Sequence, residues 1–313
     1  MSDPLLDAVA AAVGGEVTAA RSLAEMTTLK VGGPARVLVR AESVADLQAV
    51  ARISADFGVG CLVVGRGSNM LVADSGWDGI ALVLGRGFRG VDPQRGEGDR
   101  QAVVIGGAEP MSVLAGALEK LGLGGMAFAV AIPGSVGGAV RMNAGAHGGE
   151  MAQVLHWAEV VRMGTGEVQR IDAVDLDMRY RHTALPADAV VIQAEVLLTP
   201  TDAPALAADM AEMRQWRRDH QPINEPSCGS VFRNPPGDSA GRLIDTAGLK
   251  SHAVGRARIS EVHANFITVT PGATAADVHA IIRHVQREVE RIHGVVLHPE
   301  VVLQGVFEEE GAR

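Results

Sequence analysis

Apolar and polar positions fall into two regimes along the chain. Over the first 200 or so residues, short apolar runs alternate with turns. Residues 4–13 read as an alanine-rich helix and 35–39 as a strand. Ser43 is placed to cap a helix over 44–57, whose stripe is Val44, Leu47, Val50, Ala51 and Ile53. Residues 61–64 read as a short buried strand running into a turn at 65–69. A strand over 80–84 follows, with no room between for a crossover helix. A strand at 101–105 and a helix at 111–121 lead into a glycine-rich segment, 122–149, and strand-like runs recur at 154–163, 167–171 and 189–198.

The pattern then changes. Residues 205–220 are helical and end at Gln221-Pro222, because the residue before a proline is pushed out of the helical region. A loop, 222–238, precedes a short helix over 240–246 and a strand over 265–270. Thr274-Ala-Ala-Asp277 is a capping box, and its helix puts Val278, Ile281, Ile282, Val285, Val289 and Ile292 on one face. That stripe is expected to dock on a sheet holding strand 265–270 and terminal strands around 295–304. A domain boundary is placed near 200–205, and no repeat is visible.

Composition narrows the chemistry. The chain has 38 glycines in 313 residues, roughly 12% against about 7% on average, with aromatics at 3%. Binding surfaces are therefore expected to be built from backbone. A net charge of −9 argues against a nucleic-acid partner, which needs a basic face. Cys61 and Cys228 form neither a zinc pattern nor a disulfide framework, so no metal is expected. The acidic start, Met-Ser-Asp-Pro-Leu-Leu-Asp, is unlike a signal peptide, and residues 121–140, though uncharged, hold six glycines and Pro133, against a membrane span. A cytoplasmic location is expected.

Five segments carry candidate chemistry. Gly65-Arg66-Gly67-Ser68-Asn69 after a strand is either a tight turn or an anion nest of successive N–H groups. It does not open a helix, which excludes the dinucleotide fingerprint of doubly wound folds. The run 131–149 is dense in small residues and lets backbone line a long slot, with Ser135, Asn143 and His147 as polar points. Cys228-Gly-Ser230-Val-Phe-Arg-Asn234-Pro presents a serine that either meets a ligand or caps a turn; it lacks the glycine pattern of a nucleophile elbow. Met178-Arg-Tyr180-Arg181-His, on a polar strand end, is either a solvated face or a carboxylate clamp. Glu300, between Pro299 and an apolar strand, is either exposed or partly desolvated. In addition, Arg214, Arg217 and Arg218 share a helix face near His220, as a solvated surface or a phosphate-recognising one.

In this order and spacing, Gly-Arg-Gly-Ser-Asn, Ile-Pro-Gly-Ser-Val-Gly-Gly, Met-Asn-Ala-Gly-Ala, Tyr-Arg-His, Gly-Ser-Val-Phe-Arg-Asn-Pro and Pro-Glu-Val resemble the UDP-N-acetylenolpyruvoylglucosamine reductase family in its compact form. The resemblance runs from about Thr27 to Gln304. It implies an α+β fold: a two-subdomain FAD-binding domain of the vanillyl-alcohol-oxidase (PCMH) type, then a smaller α+β substrate-binding domain. The boundaries implied are a helical 1–19, an FAD domain 20–200 divided near 75, a substrate domain 205–305 and a tail 306–313. FAD, non-covalent, is implied to lie against Gly65, Arg66, Gly67, Ser68 and Asn69 and against Ile132, Pro133, Gly134, Ser135, Gly137 and Gly138, with Asn143, Gly145 and His147 nearby. Ser230 is implied to be the proton donor, with Arg181 and Glu300 as catalytic companions. Tyr180, Asn234, Arg217, Arg218 and His220 are implied to bind substrate. NADPH would supply electrons and UDP-N-acetylglucosamine enolpyruvate would accept them, in a monomeric protein.

The chain departs from the family pattern at Ala131, where glycine is common, at Val262, where a basic residue is frequent, and at His220, where some members carry lysine. The last leaves Arg217 or Arg218 to meet the substrate diphosphate. Two other classes stay open: a flavin oxidase or dehydrogenase of a sugar or hydroxy acid on the same fold, and a non-catalytic nucleotide-binding regulator.

Overall fold

The computed structural model describes residues 3–96 and 98–307; residues 308–313 of the expected tail lie outside them. The chain forms two compact units, each assembled from separated segments. The first holds residues 3–19, 37–66 and 79–216, and the second holds 20–36, 67–78 and 217–307.

The first unit contains two sheets. Val168–Asp172, Leu155–Arg162, Ala189–Pro200, Gln101–Gly106 and Val91–Pro93 lie side by side, and Leu123–Gly124 adds to Ala189–Pro200; every pairing is antiparallel. One face of this sheet buries Val103, Ile105, Ala158, Val160, Ala194 and Val196 against Leu114, Ala115 and Leu118 of the helix Met111–Leu121 and against Val136 and Val140. The alternation of these positions is what a strand with one face on a core requires. The second sheet, most of whose residues lie in this unit, runs in the order Glu16–Ser22, Pro34–Ala41, Trp77–Leu84, Cys61–Val63, the last two parallel. Its residues Val37, Val39, Ile80 and Leu82 pack with Leu47, Val50 and Ile53 of the helix Val44–Phe57 and with Leu5 and Val9 of Pro4–Ala12. Val161, Val190 and Ile192 of the larger sheet join the same core.

Asp46 locks the start of the helix Val44–Phe57. Its Oδ1 accepts the N–H of Gly14 at 2.9 Å, and its Oδ2 accepts those of Glu42 and Ser43 at 2.8 and 3.1 Å. Ser43 caps the helix as the sequence predicts, and by accepting the Asp46 N–H it completes a capping box.

In the second unit the sheet order is Ser227–Ser230, Phe266–Val269, Ala257–Ile259, Ala253–Val254. The helix Ala275–His293 opens with the predicted capping box and buries Val278, Ile281, Ile282, Val285 and Val289. The Asp74 carboxylate also accepts the N–H groups of Ala275 and Ala276 at 2.8 and 2.9 Å, where the helix dipole favours negative charge. Val302–Gln304 pairs in parallel with Met70–Val72, in register Val302↔Met70.

Four expectations about elements are corrected. The loop at 222–238 contains the strand Ser227–Ser230, which a bulge between its two partnered residues makes too short for a period-two signal. The terminal strand does not join strand 266–269. It pairs with Met70–Val72, all three of whose residues are buried, as a parallel partner prefers. Ile292 is 42% exposed although it shares the helix stripe, because the stripe outlasts the core it docks on. Val63 is 40% exposed, since Cys61–Val63 is an edge strand. No helix among the described residues is long and apolar enough to cross a membrane.

Replacing Asp46 by alanine strips an acceptor from three backbone N–H groups. Hydrogen bonds to a charged group are worth about 1.5–3 kcal/mol each and are not additive here, so the expected loss is about 2–3 kcal/mol. It is read as a lower urea midpoint at unchanged slope.

Candidate functional site

The predicted site residues divide between the units, and each set is built locally. In the first unit the strand Cys61–Val63 delivers the chain to Gly65, packed against the loop before the helix Val136–Arg141. A Cβ added at Gly65 would stand 2.9 Å from Ser135 Oγ. Ser135 is buried and caps that helix, accepting the Gly138 N–H. Gly137 donates to the Gly107 carbonyl at 2.8 Å, and a Cβ there would meet the Val191 and Gly107 carbonyls at 3.0 and 3.1 Å. Gly65, Ser135 and Gly137 thus present backbone at a density that larger residues would block. This backbone-lined cradle, with Ile132, Pro133 and Gly134 leading into it, fits a pyrophosphate-bearing cofactor.

Further along, Asn143 is fully buried in left-handed backbone, with φ +41°. Its amide donates to the Arg179 carbonyl at 3.0 Å, and its oxygen accepts the Ala152 N–H at 2.8 Å. Gly145–Ala146 and Gly149–Glu150 form a two-stranded hairpin with His147 at its tip. The segment 178–182, read as a strand end, is instead a tight turn: Arg179 and His182 exchange backbone bonds of 3.0 and 2.9 Å, and Arg181 takes φ +53°. Isolated left-handed residues other than glycine, asparagine and aspartate are uncommon, and such strain clusters where a side chain must be aimed. Arg181 Nη2 donates to the Gly145 carbonyl at 3.1 Å, and its guanidinium carbon lies 5.1 Å from the Tyr180 ring centroid. Tyr180 is 50% exposed.

The unit boundary cuts the motif 65–69 after Arg66, so Gly67, Ser68 and Asn69 belong to the second unit. Gly67 has φ +61°, and a Cβ there would lie 2.1 Å from the Met26 carbonyl oxygen; no other residue fits. Asn69 donates its side-chain amide to the Glu300 carbonyl at 3.2 Å, and its own carbonyl accepts the Val302 N–H.

Ser230 ends the strand Ser227–Ser230 and pairs with Phe266. The next residue, Val231, accepts the Glu300 N–H at 2.7 Å, so Ser230 and Glu300 sit on adjoining backbone. Phe232 pairs with Pro299, and Arg233 donates to the His298 carbonyl. Asn265 clamps this segment: its Oδ1 accepts the Phe232 N–H at 2.9 Å and its Nδ2 donates to the Phe232 carbonyl at 2.8 Å. The sequence reading passed over Asn265; the available signal was an amide side chain opening an apolar strand. Asn234 Oδ1 accepts the Ala240 N–H at 3.0 Å. Arg217, whose pKa burial lowers from its ordinary value, donates to Gln221, while Arg218 and His220 lie on the exposed end of the helix Ala203–His220. Among the described residues no group of three or more His, Cys, Asp and Glu is arranged to hold a metal ion. A cavity of about 350 Å³ in the first unit, lined by Ser43, Arg89, Asp92, Glu159 and Gln193 among others, shares no residue with the predicted site.

Comparison with known proteins bears on this arrangement. Residues 35–172 match the family described as FAD binding domain, and 221–304 match the C-terminal domain of UDP-N-acetylenolpyruvoylglucosamine reductase. The fold therefore defines an FAD-binding α+β protein with a smaller α+β domain after it, as the resemblance implied. UDP-N-acetylenolpyruvoylglucosamine reductase of Synechococcus sp. (strain RCC307) is 42% identical over 289 residues, 91% of this chain and 93% of that one. That of Bacillus subtilis (strain 168) is 39% identical over 293 residues, 93% and 95% of the two chains. The crystal structure of the enzyme from Thermus caldophilus has a TM-score of 0.79 at 34% identity, covering 93% of this chain and 99% of that one. The chain belongs to the UDP-N-acetylenolpyruvoylglucosamine reductase family.

Two outcomes follow from the second unit. Asn265→Ala leaves the Phe232 N–H and carbonyl unpaired in a buried place, an expected cost of about 2–4 kcal/mol for two groups, measured by urea unfolding. Cys228, beside Ser230, is buried, and desolvation pushes its pKa from 9.0 up to about 12. The folded state therefore keeps a proton that the unfolded chain releases above pH 9. The stability it confers is intact below that pH and declines toward pH 12, by roughly 1.4 kcal/mol per pH unit at most. Unfolding midpoints across this range should fall more steeply for the wild type than for Cys228→Ala.

Proposed function

We propose that this chain reduces UDP-N-acetylglucosamine enolpyruvate to UDP-N-acetylmuramate for peptidoglycan synthesis, as a monomeric cytoplasmic enzyme with non-covalent FAD and electrons from NADPH. The observation that carries the reading is the joining of Ser230 to Glu300 through the Val231 carbonyl, in a chain whose other unit builds a glycine-lined cradle. Residues 20–200 are assigned to the flavin and 205–305 to the substrate. The cradle of Gly65, Arg66 and residues 132–138, with Gly67, Ser68, Asn69, Asn143, Gly145 and His147, holds the FAD. When bound, FAD supplies the hydride that reaches the vinyl CH₂ carbon of the substrate.

Adding hydride to an enol ether throws negative charge onto the adjacent carbon and its carboxylate. Arg181 meets that carboxylate with a guanidinium already aimed by its strained backbone and by the Gly145 carbonyl. A preorganised donor of this kind contributes about 3–4 kcal/mol to the transition state. Ser230 then gives its hydroxyl proton to the alpha carbon, whose carbanionic character makes it basic enough to take it. Glu300 stands with Ser230 as its catalytic companion, half-buried and tied through its N–H to the Val231 carbonyl. Tyr180 lines the pocket, Asn234 contacts the sugar nucleotide, and Arg217, Arg218 or His220 meets the diphosphate.

The test is anaerobic: NADPH bleaches the yellow protein, and the enolpyruvyl sugar restores the colour. Oxygen consumption with a reduced sugar or hydroxy acid, and no bleaching by NADPH, would replace this reading with an oxidase. For Ser230→Ala, flavin reduction by NADPH should stay near the wild-type rate while reoxidation by substrate slows by about 10²–10⁴. Equal slowing of both half-reactions would make Ser230 a structural residue.

A further inference from the structure

Resting on the reading of Arg181 as the group that steadies the substrate carboxylate, we infer that Trp216 is a positioning residue for Arg181, acting through His147 and the hairpin that carries it. The turn 179–182 fixes the backbone of Arg181, and Asn143 fixes that turn by holding the Arg179 carbonyl. Neither bond reaches the guanidinium. The guanidinium is held in part by the Gly145 carbonyl, 3.1 Å from Nη2, at the base of the hairpin Gly145–Ala146 and Gly149–Glu150, beside the Tyr180 ring.

That hairpin is two residue pairs long and closely shut. A Cβ at Gly145 would lie 2.5 Å from the Gly149 carbonyl oxygen, so the two strands have no slack and move as one piece. The returning strand rests on buried Phe128, since a Cβ at Gly149 would stand 2.5 Å from its ring. The tip has different supports: the Gln153 side chain, just past the returning strand, donates to the Gly148 carbonyl at 3.2 Å, and an aromatic contact reaches beyond the hairpin. His147, held at φ +52°, sets its ring against that of Trp216 with centroids 5.2 Å apart and planes at 88°. Edge-to-face contact of this kind is directional, which sets it apart from simple apolar filling. Trp216 lies on the long helix Ala203–His220, so the tip is tied to a rigid element. Removing the indole frees the tip to rock on Phe128, and rocking moves the Gly145 carbonyl that holds Arg181.

The experiment compares holoenzyme variants Trp216→Ala, Trp216→Phe and His147→Ala, the double variant W216A/H147A, and Arg181→Ala as control. In Trp216→Ala, reoxidation of the reduced flavin by saturating enolpyruvyl sugar should slow about 10- to 100-fold, the loss a displacement of about 1 Å produces, with flavin reduction by NADPH within about twofold of wild type. Trp216→Phe should restore most of the rate, and the double variant should be no slower than the worse single one. A readout independent of turnover is amide exchange: peptides covering 145–150 and 179–182 should exchange faster in Trp216→Ala and not in Trp216→Phe. If Trp216→Ala does not accumulate as holoenzyme, Trp216→Leu is read in its place with the same expectation. Unchanged reoxidation in Trp216→Ala, equal slowing of both half-reactions, additive losses in the double variant or unchanged exchange overturns the inference while Arg181→Ala remains slow. Normal reoxidation in Arg181→Ala overturns instead the role of Arg181 on which it rests.

Discussion

The Val231 carbonyl accepts a 2.7 Å bond from the Glu300 backbone, and the Asn69 side chain holds the Glu300 carbonyl from the other side. These bonds join three stretches that are far apart in sequence: the glycine turn, the serine-bearing strand and the closing Pro-Glu-Val. Carboxylates and hydroxyls are common, and neither is a reagent until its position is fixed to within a fraction of an ångström. Here the fixing is done by main chain, which has fewer ways to relax than a long side chain. Asn265 extends the same logic by pairing both polar groups of Phe232, so the segment after Ser230 is anchored at consecutive residues.

The other unit uses absence of side chain as its material. Gly65, Gly137 and Gly145 each sit where a single added carbon would strike a neighbouring oxygen. The scarcity of aromatics and the abundance of glycine are two sides of one design, in which peptide groups pack where side chains would otherwise stand. The polar side chains that remain are mostly engaged in holding backbone: Ser135 caps a helix, Asn143 bridges two loops, and Arg181 docks on a carbonyl.

Much of this was legible in residue order, and the reasons differ by element. Helix starts at Ser43 and Thr274 could be read because a cap is local, and the box Thr274–Asp277 spans only four residues of distinctive types. The stripe on Ala275–His293 could be read from its period, except at Ile292, where the period continues and the core does not. The partner of Val302–Gln304 could not be read, since nothing local says which strand edge a short apolar run will meet. The turn at 179–182 was misread because an arginine in left-handed backbone carries no compositional mark, unlike a glycine. Asn265 escaped for a related reason: its importance lies in two bonds to a residue 33 positions away. The motifs pointed to the family, whereas the ties that aim their side chains became visible only in three dimensions.

The interleaved make-up of the second unit has a consequence for synthesis. Met70–Val72 leaves the ribosome more than 200 residues before the strand that completes it, Val302–Gln304. Until then Leu71 has no strand beside it, and Asp74 has no helix start to receive until residue 275 appears. Closing a loop of more than 200 residues adds little to the equilibrium cost, because that cost grows only with the logarithm of length, but it imposes waiting. A nascent chain can therefore settle the two sheets of its first unit well ahead of the second, and the backbone ties of Val231, Glu300 and Asn69 form only once residue 300 has been made. Chains cut short before residue 300 would hold the sheets of the first unit and none of the ties among Asn69, Val231 and Glu300.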